Sequence, residues 1–303
     1  MSFKLTILGC NSAIPTISRF TTSQALQCQG KIYLIDAGEG AQIRINNFKI
    51  KRSKIHQIFI SHLHGDHFFG LPGILTSMNL NDRKHPMHIY GPVGLNTYIQ
   101  SLQDLGTIHL NFEVKITEIS ASKFQKIFED EFVEVFSFPL KHRVPTTGFL
   151  FKEKAKPRKL ISEMIEKHSL SFQEMKLLKK SHDVIRDDGE VLQFEKFTIP
   201  ANEPSTYAYC SDTIYDETLV EYIQDATLLY HESTYLDEFK EKARDRGHST
   251  AKEAAKIASL AKVQKLVLGH FSSRYKETEP FKIEAQSVFE KTSLAEDGRE
   301  FNF

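Results

Sequence analysis

The sequence predicts an α/β (α+β) chain in which two β-sheets pack face to face with helices outside, a four-layer αββα sandwich. Three observations lead there. Apolar runs of strand length alternate with helix-like segments along the chain. One strand-to-helix loop holds four potential metal ligands within six positions, His62-Leu-His64-Gly-Asp66-His67. The other candidate ligands, His142, Asp212 and His270, also stand where apolar runs end. Stacked sheets with outer helices bring such strand ends to one edge.

Phe3 to Gly9, Gln24 to Gln29 and Lys31 to Ile35 read as strands, with a turn at Gln29-Gly30. Asp36-Ala-Gly-Glu-Gly40 ends the third, and Gln42 to Phe48 reads as a short helix. A short buried strand around Phe59 and Ile60 leads into the ligand loop, where Gly65 lets the chain turn. Phe68 to Met78 reads as one helix with Leu71, Leu75 and Met78 on one face. Met87 to Tyr90, Phe112 to Ile119 and Phe132 to Phe138 read as strands, with a helix from Val93 to Leu105 after the first. Thr206 to Thr213, Asp225 to Thr234 and Lys265 to Gly269 read as later strands. An Ala-rich helix spans Ala251 to Lys262, and Thr250 and Glu253 have capping-box spacing. A last helix, Phe281 to Glu290, and a polar end complete the chain.

Lys152 to about Pro200 breaks this rhythm. Between Lys152 and Lys180 nine basic residues stand against four glutamates, about +5 locally. Leu160, Met164 and Ile165 suggest one helix, and Phe172, Met175 and Leu178 another. The segment reads as an insertion carried on two strands. Charge alone fits a solvated helical hairpin as well as a grip for a polyanion.

The 303 residues, 40% hydrophobic, suffice for one large core with an insertion. No apolar run is long enough to span a bilayer. The first residues read as a strand and not as a signal peptide. Cys10, Cys28 and Cys210 are odd in number and far apart, which fits buried thiols in a reduced cytoplasm better than a disulfide frame. The net charge of +0, with 39 basic and 39 acidic residues, gives no global sign of a nucleic-acid binder. A polyanionic substrate would need a local basic patch.

The ligand types narrow the chemistry. His62 and His64 are two apart, which suits one shared metal, while Asp66 and His67 can reach past the turn to a second. Imidazole and carboxylate together suit zinc, and no thiolate lies nearby to close a purely structural site. Two metals about 3.5–4 Å apart can activate a water and clamp a phosphoryl oxygen.

The stretch from His62 to His67 resembles the signature of the metallo-β-lactamase fold. A more selective resemblance, to the ribonuclease Z family, covers Lys4 to Tyr275. His231-Glu-Ser-Thr234 resembles that family's His-Glu-Ala-Thr motif, Gly247-His-Ser-Thr250 its His-Ser-Thr motif, and His270-Phe-Ser-Ser-Arg-Tyr275 its last-ligand motif. The basic insertion stands where the family carries a tRNA-gripping arm. The family's short form removes the 3′ trailer of precursor tRNA.

The resemblance implies one domain over 1–303 with an inserted basic arm at 152–200. It implies two zinc ions per subunit, one on His62, His64 and His142, the other on Asp66, His67 and His270, bridged by Asp212. Asp36 would support the loop from behind. Metal-activated water would attack the phosphodiester and leave a 3′-hydroxyl on the tRNA. Asp66 would be ligand and candidate base, and His248, oriented by Glu232, would protonate the leaving oxygen. His231 reads as a packing histidine. Lys152, Lys154, Lys156, Arg158 and Lys159, with Arg274, are the expected RNA contacts. A cytoplasmic homodimer with no membrane segment completes the expectation. Two features depart from the family: Phe172 to Arg186 lacks the arm's usual Gly- and Pro-rich turn, and Ser18-Arg19-Phe20-Thr-Thr-Ser23 replaces a more usual Arg-Asn. Two other readings stay open, another dinuclear-zinc phosphodiesterase or nuclease of the same fold, and an RNA-binding module with a vestigial site.

Overall fold

The structure is a computed structural model that describes residues 3–303. The chain forms two compact units. One comprises Met1–Lys152 with Ser205–Phe303, and the other Glu153–Pro204.

In chain order the larger unit begins with β1 (Phe3–Gly9), β2 (Ser23–Cys28), β3 (Lys31–Ala37), α1 (Ala41–Asn47), β4 (Ile55–Phe59), α2 (Gly65–Phe68), α3 (Leu71–Leu80), β5 (Met87–Pro92), α4 (Leu95–Asp104) and β6 (Val114–Ile119). Then follow β7 (Gln125–Glu129), β8 (Val133–Leu140) and β9 (Thr146–Glu153). The smaller unit holds β10 (Lys159–Leu160), α5 (Ser162–Lys167), α6 (Phe172–Lys179), β11 (Val184–Ile185), β12 (Val191–Leu192), α7 (Phe194–Phe197) and β13 (Thr198–Ile199). The chain returns through β14 (Thr206–Cys210), α8 (Val220–Ile223), β15 (Leu228–Glu232), α9 (Lys240–Arg246), α10 (Ala251–Leu260), β16 (Leu266–Gly269), α11 (Glu279–Gln286), β17 (Thr292–Leu294) and β18 (Glu300–Asn302).

Two seven-stranded sheets result, ordered β18-β1-β2-β3-β4-β5-β6 and β17-β16-β15-β14-β9-β8-β7. The strand sequences explain why both faces are covered. In β3, Tyr33 and Ile35 join the core between the sheets, while Ile32 and Leu34 join the core under the helices on the outer face. Such a strand reads as a continuous apolar run because alternation has no solvent side to record. The inter-sheet core is aromatic: Phe59 lies 5.6 Å from Phe149 and 5.2 Å from Phe151 across the sheets. The predicted four layers are therefore present.

Three details differ from the sequence reading. Phe68 to Met78 is not one helix: α2 stops at Phe68, the Gly70 N–H bonds to the Ala37 carbonyl at 2.8 Å, and α3 restarts with Pro72 in its first turn. Proline at a helix start loses no intrahelical bond, so Gly70 and Pro72 together mark the break. Three strands of the two large sheets were also absent from that reading. β7, β17 and β18 have five, three and three residues, too few for a clear alternation. The polar end is thus structured, with β18 antiparallel to β1.

The smaller unit has its own core of Leu170, Leu178, Leu192 and Phe197. Ser171 and Glu174 cap α6 reciprocally, and Arg186 binds Glu174 at 2.6 Å and Glu190 at 2.8 Å. Hydrogen bonds from Arg186 and from the Ser171 backbone hold the Glu174 carboxyl down at about 2. A glycine turn exists here after all, at Gly189 between β11 and β12, just beyond the Gly-free stretch. Over Glu153–Pro204 the unit carries ten Lys/Arg and ten Asp/Glu, so its basic first half is balanced by an acidic second half.

Gly70 is where the fold fixes the ligand loop. A Cβ there would meet the Gly38 carbonyl oxygen at 2.2 Å and the Ala37 oxygen at 2.9 Å, both backbone atoms that cannot swing aside. Gly70→Ala should destabilise the fold by about 1–3 kcal/mol or more, as overpacking does. A urea midpoint equal to wild type would refute this.

Candidate metal centre

The ligand loop leaves β4, crosses Ser61 and His62, and enters the single turn of α2 at Gly65. Its backbone is tied on both sides, by Ile60 N–H to the Tyr90 carbonyl at 2.7 Å and by Thr147 N–H to the Ser61 carbonyl at 3.0 Å. His142 follows β8, Asp212 follows β14 and His270 follows β16. All seven candidate ligands meet at one edge of the sheets. His62, His64, His142 and Asp212 form one cluster of donor atoms, and Asp66, His67 and His270 another. Asp212 lies between them. Its Oδ1 is 3.3 Å from His67 Nε2 and 3.2 Å from His270 Nε2, while its Oδ2 is 3.6 Å from His62 Nε2 and 3.7 Å from His142 Nε2.

Four of the five imidazoles have Nδ1 fixed by an acceptor outside the cluster. His67 Nδ1 donates to Asp36 Oδ2 at 2.7 Å and His142 Nδ1 to the Gly247 carbonyl at 2.7 Å. His270 Nδ1 meets Thr234 Oγ1 at 2.9 Å. His62 Nδ1 meets Ser61 Oγ at 3.0 Å, and that hydroxyl in turn donates to Asp36. Held this way, a neutral ring presents an unprotonated Nε2 to the centre, and these nitrogens point at one another. His67 and His270 Nε2 are 3.3 Å apart, His64 Nδ1 is 3.1 Å from His62 Nε2, and it is 3.3 Å from His142 Nε2. Facing lone pairs repel unless a cation lies between them. Nitrogens about 2.0–2.1 Å from a tetrahedral ion stand roughly 3.3 Å apart, so the donor set fits a metal such as zinc.

The electrostatics agree. Burial pushes His62 well down, helped by the neighbouring imidazoles, and burial also lowers His64 and His142, so these rings are neutral and free to ligate. Burial opposes a charge on His67, yet Asp212, Asp66 and Asp36 together push it well up. Carboxylates packed this way demand positive charge at the centre, which a cation supplies.

His248 also falls in a third donor group with Asp212 and His270, and its Nδ1 lies 2.8 Å from Glu232 Oε1. Glu232 is fully buried and is held by Thr213 N–H, Thr234 N–H and the Thr234 hydroxyl. Burial disfavours a charged His248, but Glu232 outweighs it and the ring is pushed up to about 9.

Among relatives, the ribonuclease Z of Parabacteroides distasonis is 40% identical, over 98% of this chain and 97% of that one. The ribonuclease Z of Cytophaga hutchinsonii is 43% identical, over 99% of this chain and 96% of that one. The chain belongs to the ribonuclease Z family. The family profile described as Anti-Pycsar protein Apyc1 also matches it, over residues 3–293, and the chain belongs to that family as well. The crystal structure of human tRNase Z, short form, superposes with TM-score 0.71 at 28% identity, covering 99% of this chain and 98% of that one. The metallo-β-lactamase fold protein YhfI of Bacillus subtilis, at 17% identity, superposes with TM-score 0.69 over all of both chains and shares the fold.

In this ribonuclease Z family member the predicted residues fall as follows. The seven candidate ligands, Glu232 and His248 come together. His231 stands outside every cluster, fully buried, its Nδ1 donating to the Glu232 carbonyl at 2.7 Å. The predicted RNA contacts are dispersed. Lys152 lies over the Phe136 ring, Lys156 pairs with Glu153 at 2.6 Å, Lys154 is half-buried and Lys159 is exposed. Arg158 bonds Thr198 at 2.6 Å and stacks on Phe194, so it serves the smaller unit's own structure. Arg274 stays exposed over Tyr235 and Phe239.

Sequence reasoning missed Arg143. It is exposed, the one Lys or Arg lining the metal-centre cavity, and makes no ion pair among the described residues. Ser61, Thr234 and Gly247 were also passed over as supports. Gly247 has φ 80°, and a Cβ there would meet His142 Nδ1 at 2.6 Å, so only glycine lets its carbonyl reach that ring. The signal was present, since Thr234 and Gly247 stand inside the motifs that carry the resemblance.

His64 meets both of its neighbours through one nitrogen. His64→Ala should therefore take up less metal from added zinc than wild type, with the circular dichroism unchanged. Undiminished zinc by elemental analysis would remove His64 from the ligand set.

Proposed function

We infer that this protein is a zinc-dependent endoribonuclease that removes the 3′ trailer of precursor tRNA and leaves a 3′-hydroxyl on the tRNA. The observation that carries the reading is the Glu232–His248 pair, a proton donor held by a buried carboxylate beside a two-cluster donor set, in a chain of the ribonuclease Z family. A binding module with a dead site has no use for such a pair.

His62, His64 and His142 would hold one zinc ion and Asp66, His67 and His270 a second, with Asp212 reaching both. Bound there, the pair would acidify a water and neutralise the phosphoryl oxygens. The chain's own groups do the rest. Asp66, its Oδ2 anchored by Ala13 N–H at 2.7 Å, accepts the proton of the attacking water. The new oxygen–phosphorus bond forms as the bond to the tRNA 3′ oxygen breaks. His248 Nε2 gives its proton to that departing oxygen, while Glu232 keeps Nδ1 occupied and fixes the ring. Arg143, in the wall of the same cavity, offers a fork for phosphate oxygens.

Beside the arm's first residues, α6 offers a further grip for RNA. Its exposed Lys176, Lys179 and Lys180, with Phe172 beside them, give cations and an aromatic surface to one helix. The family relation also supports a homodimer acting in the cytoplasm, in keeping with three buried free cysteines. No helix among the described residues is long and apolar enough to cross a membrane.

Two experiments test the reading. His248→Ala should lower kcat on precursor tRNA by roughly 10²–10⁴-fold with metal content intact, and should abolish the alkaline limb of the pH–rate profile. Adding Glu232→Ala should cost little more, since both act through one proton. A p-nitrophenolate leaving group needs little protonation, so that substrate should suffer much less. Equal losses on both substrates would exclude the general-acid role.

The second concerns the arm. Lys152 and Thr206 are register partners on β9 and β14, so a short turn can replace what lies between them. That replacement should raise KM for precursor tRNA strongly and flatten its salt dependence, because each lost phosphate contact removes counterion release. A small phosphodiester should be cut as before. If both substrates lose equally, the arm serves the fold and not the RNA.

A further inference from the structure

Phe69 is the one large apolar side chain among the described residues in the wall of the metal-centre cavity, a space of about 340 Å³ otherwise lined by small, polar and charged residues. It is 54% exposed. The other exposed phenylalanine described in the larger unit, Phe124, lies stacked on Phe136 at 5.2 Å and on Tyr222 at 5.5 Å. Phe69 has no such stacked partner among the described residues. Its one ring neighbour among the described residues is Phe68, tilted by 56° with centroids 5.0 Å apart.

The ring is nevertheless fixed. It lies over Gly65, where a Cβ would come within 2.3 Å of it, and Phe68 is itself buried against Tyr98. Phe69 follows directly on the turn that carries Asp66 and His67, and its own N–H closes that turn on the Gly65 carbonyl at 2.9 Å, so its place relative to those residues is set by the backbone. A phenyl ring kept open beside a polar site needs an occupant with an apolar face and polar edges. A single strand that presents its phosphate to the centre splays its bases away from it, and unstacked bases are taken up by aromatic side chains.

We propose that Phe69 is the stacking platform for the nucleobase next to the scissile phosphate. This rests on the ribonuclease reading above. It makes Phe69 a specificity-determining contact that acts on any base with a π face and so tolerates variation in trailer sequence.

The test compares wild type with Phe69→Ala, Phe69→Leu and Phe69→Tyr on three precursor tRNAs: intact, abasic at the nucleotide 5′ of the cut, and abasic at the nucleotide 3′ of it. Zinc content is measured for every variant. Stacking on one base predicts a loss in kcat/KM of about tenfold to a hundredfold for Phe69→Ala on the intact precursor. Phe69→Leu, which keeps apolar volume without a ring face, should lose nearly as much, and Phe69→Tyr should retain activity. One of the two abasic precursors should reduce wild type to the level of Phe69→Ala, with no further loss on combining them. The proposal is overturned if Phe69→Leu matches wild type, if Phe69→Ala costs as much on both abasic precursors as on the intact one, or if it strips zinc. If wild type does not cut the intact precursor at all, the ribonuclease reading falls and this proposal with it. If wild type cuts and Phe69→Ala is equally active, only the proposal falls.

Discussion

A single buried carboxylate, Asp36, holds the metal centre in shape. It is fully buried at the end of β3, in a left-handed backbone conformation with φ 54°. Four donors converge on it: Ser61 N–H at 2.7 Å, Ser61 Oγ at 2.8 Å, His67 Nδ1 at 2.7 Å and Tyr209 OH at 2.6 Å. Those donors come from the ligand loop, from α2 and from β14 in the opposite sheet, so one side chain ties both sheets to the loop. Each buried donor left without its acceptor would cost about 1–3 kcal/mol, which makes Asp36 a structural necessity as well as an orienting group. The strained backbone at a strand end is the price of putting an acceptor there.

The same device recurs around the centre, and it explains why the site is poised for a cation. A ring whose Nδ1–H is tied to a fixed acceptor cannot turn over to relieve repulsion at Nε2. Asp36, Gly247 O, Thr234 Oγ1 and Ser61 Oγ thus do more than support the ligands: they keep unfavourable lone-pair contacts in place. Binding that removes such repulsion stabilises the folded chain and not the unfolded one, so metal affinity and fold stability are linked through these tautomers.

Much of this was legible in the sequence because it depends on local order. The double burial of the strands appears as apolar runs, the ligands stand at strand ends, and the Thr250–Glu253 capping box is present as its spacing implied. What was not legible depends on distance in the fold. Arg143 is one of 39 basic residues until β8 carries it into the cavity wall. Phe69 resembles an ordinary helix residue until Gly70 ends the turn. Arg158 looked free, and only Thr198 and Phe194, forty and thirty-six positions further on, show it to be engaged. The arm's charge depends in the same way on where the fold ends it: the window closing at Lys180 catches the basic half of a unit whose folded boundary lies at Pro204, where the balance is even. With no net charge on the chain or on this unit, attraction for a polyanion must come from how the cations are placed.

The segment from Gly247 to Thr250 shows how placement can outweigh the dominant local field. His248 stands just before α10, whose N-terminus disfavours a charged imidazole by about 0.3–1 kcal/mol. It is raised to about 9 nonetheless, because Glu232 makes a short contact inside the protein, where screening is weak. The neighbours on either side fix that contact. Gly247 offers its carbonyl to His142, the Ser249 hydroxyl bonds the Thr213 carbonyl at 2.7 Å, and Thr250 caps α10. Thr213 adjoins Asp212 in the chain and donates its own N–H to Glu232. Four consecutive residues therefore join one donor cluster, the residue following Asp212 and the Glu232–His248 pair. A shift of this segment cannot move His248 without moving His142, and so the distance between His248 and the two donor clusters is held by the backbone, not left to a flexible side chain.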